Sequence, residues 1–105
     1  MSISQLDISS EYLAIVQQIL RHLVPSCEVW AFGSRVKGTA KPFSDLDLVI
    51  MSQQPLSLAL VASLHEAFSE SDLPWKVDIV DWSTTSPDFK AVIDQQKVKV
   101  QAVVF

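Results

Sequence analysis

The spacing of apolar residues changes along the chain, and each change marks a predicted element. Residues 8–24 carry apolar side chains at helical spacing, and Pro25 follows them, so this segment is predicted to form an amphipathic helix. Ser86-Pro87 is typical of a helix start, and Phe89, Val92 and Ile93 then form an apolar stripe. The other predicted elements are a helix over residues 57–69 and strands over residues 27–32, 46–51, 75–80 and 98–105.

This order of elements, α-β-loop-β-α-β-α-β, predicts an α/β (α+β) protein with a mixed β-sheet and helices packed on it. The length of 105 residues fits one domain, spanning residues 1–105. No apolar run approaches the roughly 18 residues that a membrane helix needs, and the first residues do not resemble a signal peptide. We therefore expect no membrane association and a cytoplasmic location.

The charge of the chain narrows the class of partner. A formal net charge of -4 gives no broad attraction to nucleic acid phosphates, so long DNA or RNA is not expected as a partner. The negative net charge does not exclude a small triphosphate as a ligand, because bound metal ions can reverse the sign of an acidic patch.

The candidate chemistry is concentrated in residues 33–47, which follow the first predicted strand. Gly33 allows the backbone to turn, and Ser34 adds a hydroxyl and an N–H that can hold a phosphate oxygen. Arg35, Lys37 and Lys41 follow, although the chain has only eight basic residues in total. This local basic cluster in an acidic protein indicates one anionic ligand.

Asp45 and Asp47 come next, and residues two apart in a strand project from the same face. Two carboxylates at one point repel each other, and a hard divalent cation such as Mg²⁺ relieves that repulsion. Asp78, inside a later apolar strand, is the best candidate for a third ligand of a two-ion site. Asp81 is the rival, but its opposite parity and its place at the strand end fit a cap.

Each of these features has a plain structural explanation when it stands alone. A Gly-Ser pair is a common turn, and an Asp-x-Asp pair at a strand edge is often only a solvated surface. Asp78 alone could pair with Lys76 or cap a neighbouring element. The combination of turn, basic loop, paired carboxylates and a carboxylate in an apolar strand favours a metal–phosphate site.

The segment GSRVKGTAKPFSDLDL, residues 33–48, has the pattern of Gly-Ser, ten residues and Asp-x-Asp. It resembles the polymerase-β-like nucleotidyltransferase superfamily, and within it the minimal nucleotidyltransferases (MNT) of bacteria and archaea. The resemblance implies the polymerase-β-like fold and transfer of a nucleoside monophosphate, with ATP as the usual donor. It implies that Gly33 and Ser34 hold the triphosphate and that Asp45, Asp47 and Asp78 bind two Mg²⁺ ions.

The resemblance also implies a role in proton removal for Asp78, which would help to deprotonate the acceptor hydroxyl. A phosphate contact is implied for Arg35 and, less directly, for Lys37.

Proteins of this group often occur beside a HEPN protein, a helical partner with a toxic ribonuclease-type site. The resemblance therefore implies an antitoxin that adenylylates a hydroxyl of its toxin. Two alternatives stay open: a non-catalytic antitoxin or regulatory subunit that works by contact, and a transferase that modifies a small molecule such as an antibiotic. The last usually carries a further helical domain, which this sequence lacks.

Overall fold

The computed structural model describes residues 6–103. The helices are α1 (Ser10–Leu23), α2 (Ser34–Lys37), α3 (Leu58–Ser69) and α4 (Pro87–Gln95), and the strands are β1 (Val29–Phe32), β2 (Leu46–Ile50), β3 (Val77–Asp81) and β4 (Val98–Gln101). A 3-10 turn, Trp82–Thr84, joins β3 to the segment before α4. No helix within residues 6–103 has the length and apolar character that crossing a membrane requires.

Every helix and strand predicted from the apolar pattern is present, with bounds that differ by a few residues. The predicted strand over residues 27–32 begins at Val29, and the one over residues 75–80 runs from Val77 to Asp81. The predicted last strand ends at Gln101, while residues 104–105 lie outside the described chain. The short helix α2 was expected only as a turn, because four residues are too few to show a helical period.

Three of the helices begin at serines that cap their first turn. Ser9, Ser57 and Ser86 each have extended backbone, and each side-chain oxygen accepts a hydrogen bond from the N–H three residues later. These bonds satisfy amide groups that lack partners inside the helix, which is why the helices begin there.

The four strands form one mixed sheet in the order β3-β2-β1-β4. β1 is antiparallel to both β2 and β4, whereas β2 and β3 are parallel and are joined through α3. The parallel pair places Asp47 opposite Asp78. The predicted mixed sheet with packed helices is thus confirmed. The parallel pairing of β2 with β3 fixes the relative positions of Asp47 and Asp78.

The two faces of the sheet are covered unequally. Alternate residues, among them Val29, Leu48 and Ile79, face the main core, which also receives Val16 of α1 and Leu64 of α3. The residues between them face a smaller cluster, and it contains the following side chains: Trp30, Phe32, Val49, Met51, Val80, Trp82 and Ile93 of α4. We call the side covered by α4 the thin face, and Asp47 and Asp78 share its strand parity.

Asp81 joins the loop before α3 to the segment after β3. Its carboxylate accepts hydrogen bonds from the Ser52 hydroxyl, from the Leu56 N–H at 2.8 Å and from the Ser83 N–H at 3.0 Å. Burial acts to raise the pKa of Asp81, but the hydrogen bonds from Ser52, Leu56 and Ser83 together lower it below 3.8. Asp81 is thus a structural cap, at the strand end where a cap was the simpler expectation.

We predict that Asp81→Ala lowers the free energy of unfolding by about 2–3 kcal/mol, because it leaves several donors without their charged acceptor. The lowered pKa in the folded state means that this stabilisation is present above the unfolded pKa and disappears as the pH falls through the folded pKa. Urea unfolding at neutral pH and in acid measures both effects. Equal stability of the variant and the parent at neutral pH would contradict the assignment.

Candidate active site

The candidate catalytic carboxylates lie on neighbouring strands of the thin face. Asp47 of β2 and Asp78 of β3 are directly opposite in the parallel register, and both line the same cleft. Asp45 lies two residues before Asp47, immediately ahead of β2, and is exposed. The structure therefore brings Asp47 and Asp78 together and leaves Asp45 at the solvent side of the pair.

Gly33 lies directly against Asp47. It lies between β1 and α2. Its backbone angles, φ +83° and ψ -155°, are essentially restricted to glycine. A Cβ atom added there would overlap Asp47 Oδ2 and would lie 3.2 Å from Asp47 Cγ. Two features therefore require glycine here: the positive φ of the turn and the close approach of the Asp47 carboxylate.

Burial and the neighbouring negative charges together change the protonation equilibrium of Asp47. The pKa of Asp47 is raised from 3.8 to about 6, first by burial, then by the charges of Asp78 and Asp45 and by a close contact with Asp78. The ion pairs within residues 6–103 are Lys97–Asp94 and Lys99–Glu28, so neither neutralises this group. A cation bound here would relieve an existing repulsion.

The donor set fits Mg²⁺, although no closed cage is formed. Within residues 6–103, no three Asp, Glu, His or Cys side chains are gathered closely enough to hold an ion by themselves. Mg²⁺ does not need such a cage, because it usually keeps several waters and binds one or two carboxylates together with substrate phosphates. The adjacent pair Asp47 and Asp78, with Asp45 beside it and room left by Gly33, has the hard oxygen donors for that mode.

Ser34 and Lys37, both expected at a phosphate, lie at the two ends of α2. Ser34 is the first residue of this helix, where backbone N–H groups have no partner inside the helix. Lys37 is exposed and lines the cleft that contains Asp47 and Asp78. The predicted grouping of a serine turn, a lysine and the carboxylates is therefore spatially compact.

Arg35 has a different environment from the expected one. It is only 5% exposed, and its guanidinium donates to the carbonyl oxygens of Ser44 at 3.0 Å, Asp7 at 2.8 Å and Pro42 at 3.1 Å. The same group stacks on Trp75, 4.6 Å from the ring centroid. With these donors directed at backbone carbonyls, the expected phosphate contact of Arg35 is replaced by a structural one that holds the loop before β2.

The cleft has a volume of about 390 Å³, and its lining combines polar and apolar residues. The polar side chains are Lys37, Gln96 and the two carboxylates, and the apolar ones are Phe32, Val80, Phe89 and Val92. The sequence pattern placed Phe89, Val92 and Ile93 in one apolar stripe, and of these three Ile93 alone is buried. The exposed positions of Phe89 and Val92 follow from the way α4 rests on the thin face, which no local pattern encodes.

A larger cleft of about 560 Å³ lies between α1 and α3. Its lining includes His22, Glu66 and Glu70, but neither the aspartate pair nor the glycine turn. Size alone would favour this larger cleft, but the chemistry of its lining makes the smaller cleft the candidate active site.

Residues 13–103 match the family model of the nucleotidyltransferase domain. The chain belongs to this nucleotidyltransferase family. It is 60% identical over 100 residues to the probable protein adenylyltransferase MntA of Haemophilus influenzae, an alignment that covers 95% of this chain and 88% of the relative. The chain is accordingly a nucleotidyltransferase, and the resemblance seen in residues 33–48 is confirmed.

Solved structures share the fold of this nucleotidyltransferase at low sequence identity. A toxin–antitoxin structure with AMP-PNP matches with a TM-score of 0.74 and 23% identity, over 87% of this chain and 73% of that chain. A tri-AMPylated HEPN toxin in complex with MNT antitoxin from Shewanella oneidensis matches with a TM-score of 0.68 and 18% identity, over 91% of this chain and 74% of that chain. These similarities support the predicted nucleotidyltransferase fold.

For this nucleotidyltransferase we predict that Gly33→Ala is more damaging than Gly38→Ala. Both glycines have positive φ, but a Cβ at Gly38 meets nothing within 4 Å. Gly38→Ala should cost about 1 kcal/mol of stability, and Gly33→Ala about 2–4 kcal/mol because it also displaces Asp47.

A double-mutant cycle with Asp47→Ala separates the collision from the backbone strain, since the collision disappears once the carboxylate is absent. Unfolding measurements on the four proteins give the coupling. An equal penalty of Gly33→Ala with and without Asp47 would refute the contact.

We also predict that Asp47→Asn stabilises the metal-free protein at neutral pH. The pKa of Asp47 in the folded protein is about 6, above the ordinary 3.8, so the charged carboxylate disfavours folding. The contribution of the protonated carboxyl to the stability of the protein is therefore lost as the pH rises through about 6. After allowance for solvent screening of this half-buried group, the gain should be about 1–2 kcal/mol.

The difference between Asp47→Asn and the parent protein should vanish below about pH 3, where the carboxyl is protonated in both states. Asp72→Asn, at an exposed loop position, serves as the control. Thermal unfolding across this pH range measures the effect, and no gain at neutral pH would show that burial and the neighbouring charges do not penalise the ionised Asp47 carboxylate.

Proposed function

We propose that this chain transfers AMP from ATP to a hydroxyl group of a HEPN-type partner protein, with Mg²⁺, and thereby acts as its antitoxin. The observation that carries the proposal is the pairing of Asp47 with Asp78 against the Gly33 turn. The 60% identity to a probable protein adenylyltransferase supports a protein as the acceptor, and the HEPN partner follows from the toxin–antitoxin complexes that share the fold.

In this proposal the triphosphate of ATP lies along the Gly33-Ser34 turn. The N–H groups at the start of α2 and the Ser34 hydroxyl donate to phosphate oxygens, and Lys37, at the edge of the same cleft, adds a positive charge. Arg35 takes no part in this contact, but it fixes the loop that leads to Asp45.

Asp45, Asp47 and Asp78 would hold two Mg²⁺ ions between the protein and the phosphates. When bound, the ions supply positive charge that stabilises the α-phosphate and the departing pyrophosphate. The repulsion already present at Asp47 favours their binding, because the ions neutralise negative charge that burial and the neighbouring aspartates make unfavourable.

The transfer itself is an in-line substitution at the α-phosphorus. The acceptor hydroxyl oxygen forms a bond to this phosphorus as the bond to the bridging oxygen of the β-phosphate breaks, and pyrophosphate leaves. Asp78, on the strand beside Asp47, accepts the proton of the hydroxyl. The product is a phosphodiester between AMP and the partner.

We predict that Asp45→Asn, Asp47→Asn and Asp78→Asn each reduce AMP transfer by about a hundredfold or more, the scale expected when a preorganised electrostatic group is lost. The assay mixes the purified chain with a purified HEPN-type protein, labelled ATP and Mg²⁺, and follows the label on the partner. Asp72→Asn is the matched control and should retain full transfer, since Asp72 is exposed in the loop before β3.

The same variants separate the catalytic proposal from an antitoxin that works by contact. If transfer is the basis of neutralisation, Asp45→Asn should leave the toxin active in growing cells although the complex still forms. Full neutralisation by Asp45→Asn, or no label on the partner with the unmodified chain, would reject the catalytic proposal.

A further inference from the structure

The most exposed aromatic side chain of residues 6–103 lies next to the candidate catalytic carboxylates. Phe43 is 77% exposed, and it precedes Asp45 by two residues. Two residues of extended chain span at most about 7 Å, so the Cα atoms of Phe43 and Asp45 are no farther apart than that. Single exposed apolar side chains are common on protein surfaces. What distinguishes Phe43 is the backbone that carries it.

Phe43 lies in a β-turn that is closed by two hydrogen bonds. The Ser44 N–H donates to the Lys41 carbonyl oxygen at 3.0 Å, and the Lys41 N–H donates to the Ser44 hydroxyl oxygen at 2.8 Å. Pro42 occupies the second position of this turn, where its fixed φ is favoured, and Phe43 occupies the third. The turn therefore has little conformational freedom, and it holds Phe43 at a defined place on the surface.

The buried guanidinium of Arg35 holds the same turn from its inner side. It donates to the carbonyl oxygens of Pro42 at 3.1 Å and of Ser44 at 3.0 Å, the residues on either side of Phe43. Arg35 is itself fixed by its hydrogen bond to the Asp7 carbonyl oxygen. An aromatic side chain on a backbone held at both sides loses little conformational freedom when it binds a partner, and this favours affinity.

We propose that Phe43 anchors the acceptor protein of this nucleotidyltransferase by inserting into an apolar pocket on that protein. The inference rests on the proposed function for the identity of the acceptor as a HEPN-type protein. A specific interface covers about 800 Å² on each partner, a patch with a radius of about 16 Å. An interface of this size that includes Asp45 extends over the Phe43 turn. Buried aromatic side chains dominate the binding energy of such interfaces.

The charge beside Phe43 adds a second property of the partner surface. Lys41 is exposed, and within residues 6–103 no carboxylate forms an ion pair with it. The partner surface that fits is accordingly an apolar pocket with a carboxylate at its rim. A small molecule bound at the aspartates has no need to touch the turn, so dependence on Phe43 also distinguishes a protein acceptor from a small one.

Calorimetry of the full chain with a purified HEPN-type protein, without ATP, measures the anchor separately from catalysis. Phe43→Ala should weaken the complex by about thirtyfold, the scale of a binding hot spot. Phe43→Leu, which keeps a large apolar side chain, should weaken it by about threefold or less.

Leu58→Ala is the matched control for the loss of an exposed apolar side chain. Leu58 is 89% exposed at the start of α3. Asp45 immediately precedes β2, whereas Leu58 lies in the segment after it. This variant should bind the HEPN-type protein as tightly as the unmodified chain does.

Transfer assays with labelled ATP and Mg²⁺ provide a second readout. Phe43→Ala should raise the KM for the HEPN-type protein by about thirtyfold and leave kcat and the KM for ATP unchanged, because the anchor acts on acceptor binding alone. Lys41→Glu should weaken the complex at low salt, and the loss should shrink as the salt concentration rises. Urea unfolding of Phe43→Ala should match that of the unmodified chain, since an exposed ring contributes little to the core.

The outcomes separate the anchor from the proposed function. Unchanged affinity and KM for the HEPN-type protein in Phe43→Ala, or an equal loss in Leu58→Ala, overturn the anchor even if AMP transfer occurs. Affinity that depends on Phe43 but not on Leu58 supports it even if the partner is never labelled. A loss of ATP affinity alone in Phe43→Ala assigns the ring to the nucleotide and overturns the inference. Absence of both a complex and a label with the unmodified chain overturns both proposals.

Discussion

The parallel register of β2 and β3 is the constraint on which the site depends. It sets Asp47 beside Asp78, although two neighbouring carboxylates repel each other and partial burial increases the cost of their charge. A shift of the register by one residue would move Asp78 to the other side of the sheet, into the main core. The fold can maintain the unfavourable pair because α3, which joins the two strands, is anchored in that core through Leu64 and Phe68.

The unequal layers of the sheet explain how residues 6–103 combine stability with an open cleft. The helices α1 and α3 cover one face and bury most of the apolar side chains, while α4 contributes mainly Ile93 to the thin face. Because stability comes from the first face, the second can leave Phe89 partly exposed and can expose Lys37 next to the carboxylates. Arg35 stabilises the loop before β2, because its Nε donates a hydrogen bond to the carbonyl oxygen of Ser44, the residue immediately before Asp45.

Local sequence signals predicted the elements, because helix caps and apolar periods act over a few residues, and Ser86 as a helix cap is an example. The shared strand parity expected for Asp45 and Asp47 stays a prediction, since Asp45 lies just before β2 and is exposed. The environment of Arg35 could not be predicted, since its hydrogen-bond partners include Asp7, 28 positions away in the sequence. The exposure of Phe89 could not be predicted either, because an apolar stripe does not reveal how closely its helix approaches the sheet.

The energetic state of Asp47 links the stability of the domain to the ligand that we propose. Its raised pKa means that the metal-free protein folds against a charge that it accommodates poorly at neutral pH. A metal–nucleotide complex removes this penalty and adds binding energy, so it stabilises the folded state by an amount that grows with ligand concentration. Gly33 allows the Asp47 carboxylate to lie at the cleft, because a side chain at residue 33 would occupy the space of that carboxylate. The repulsion in the site and the cation binding that we propose therefore have a single cause.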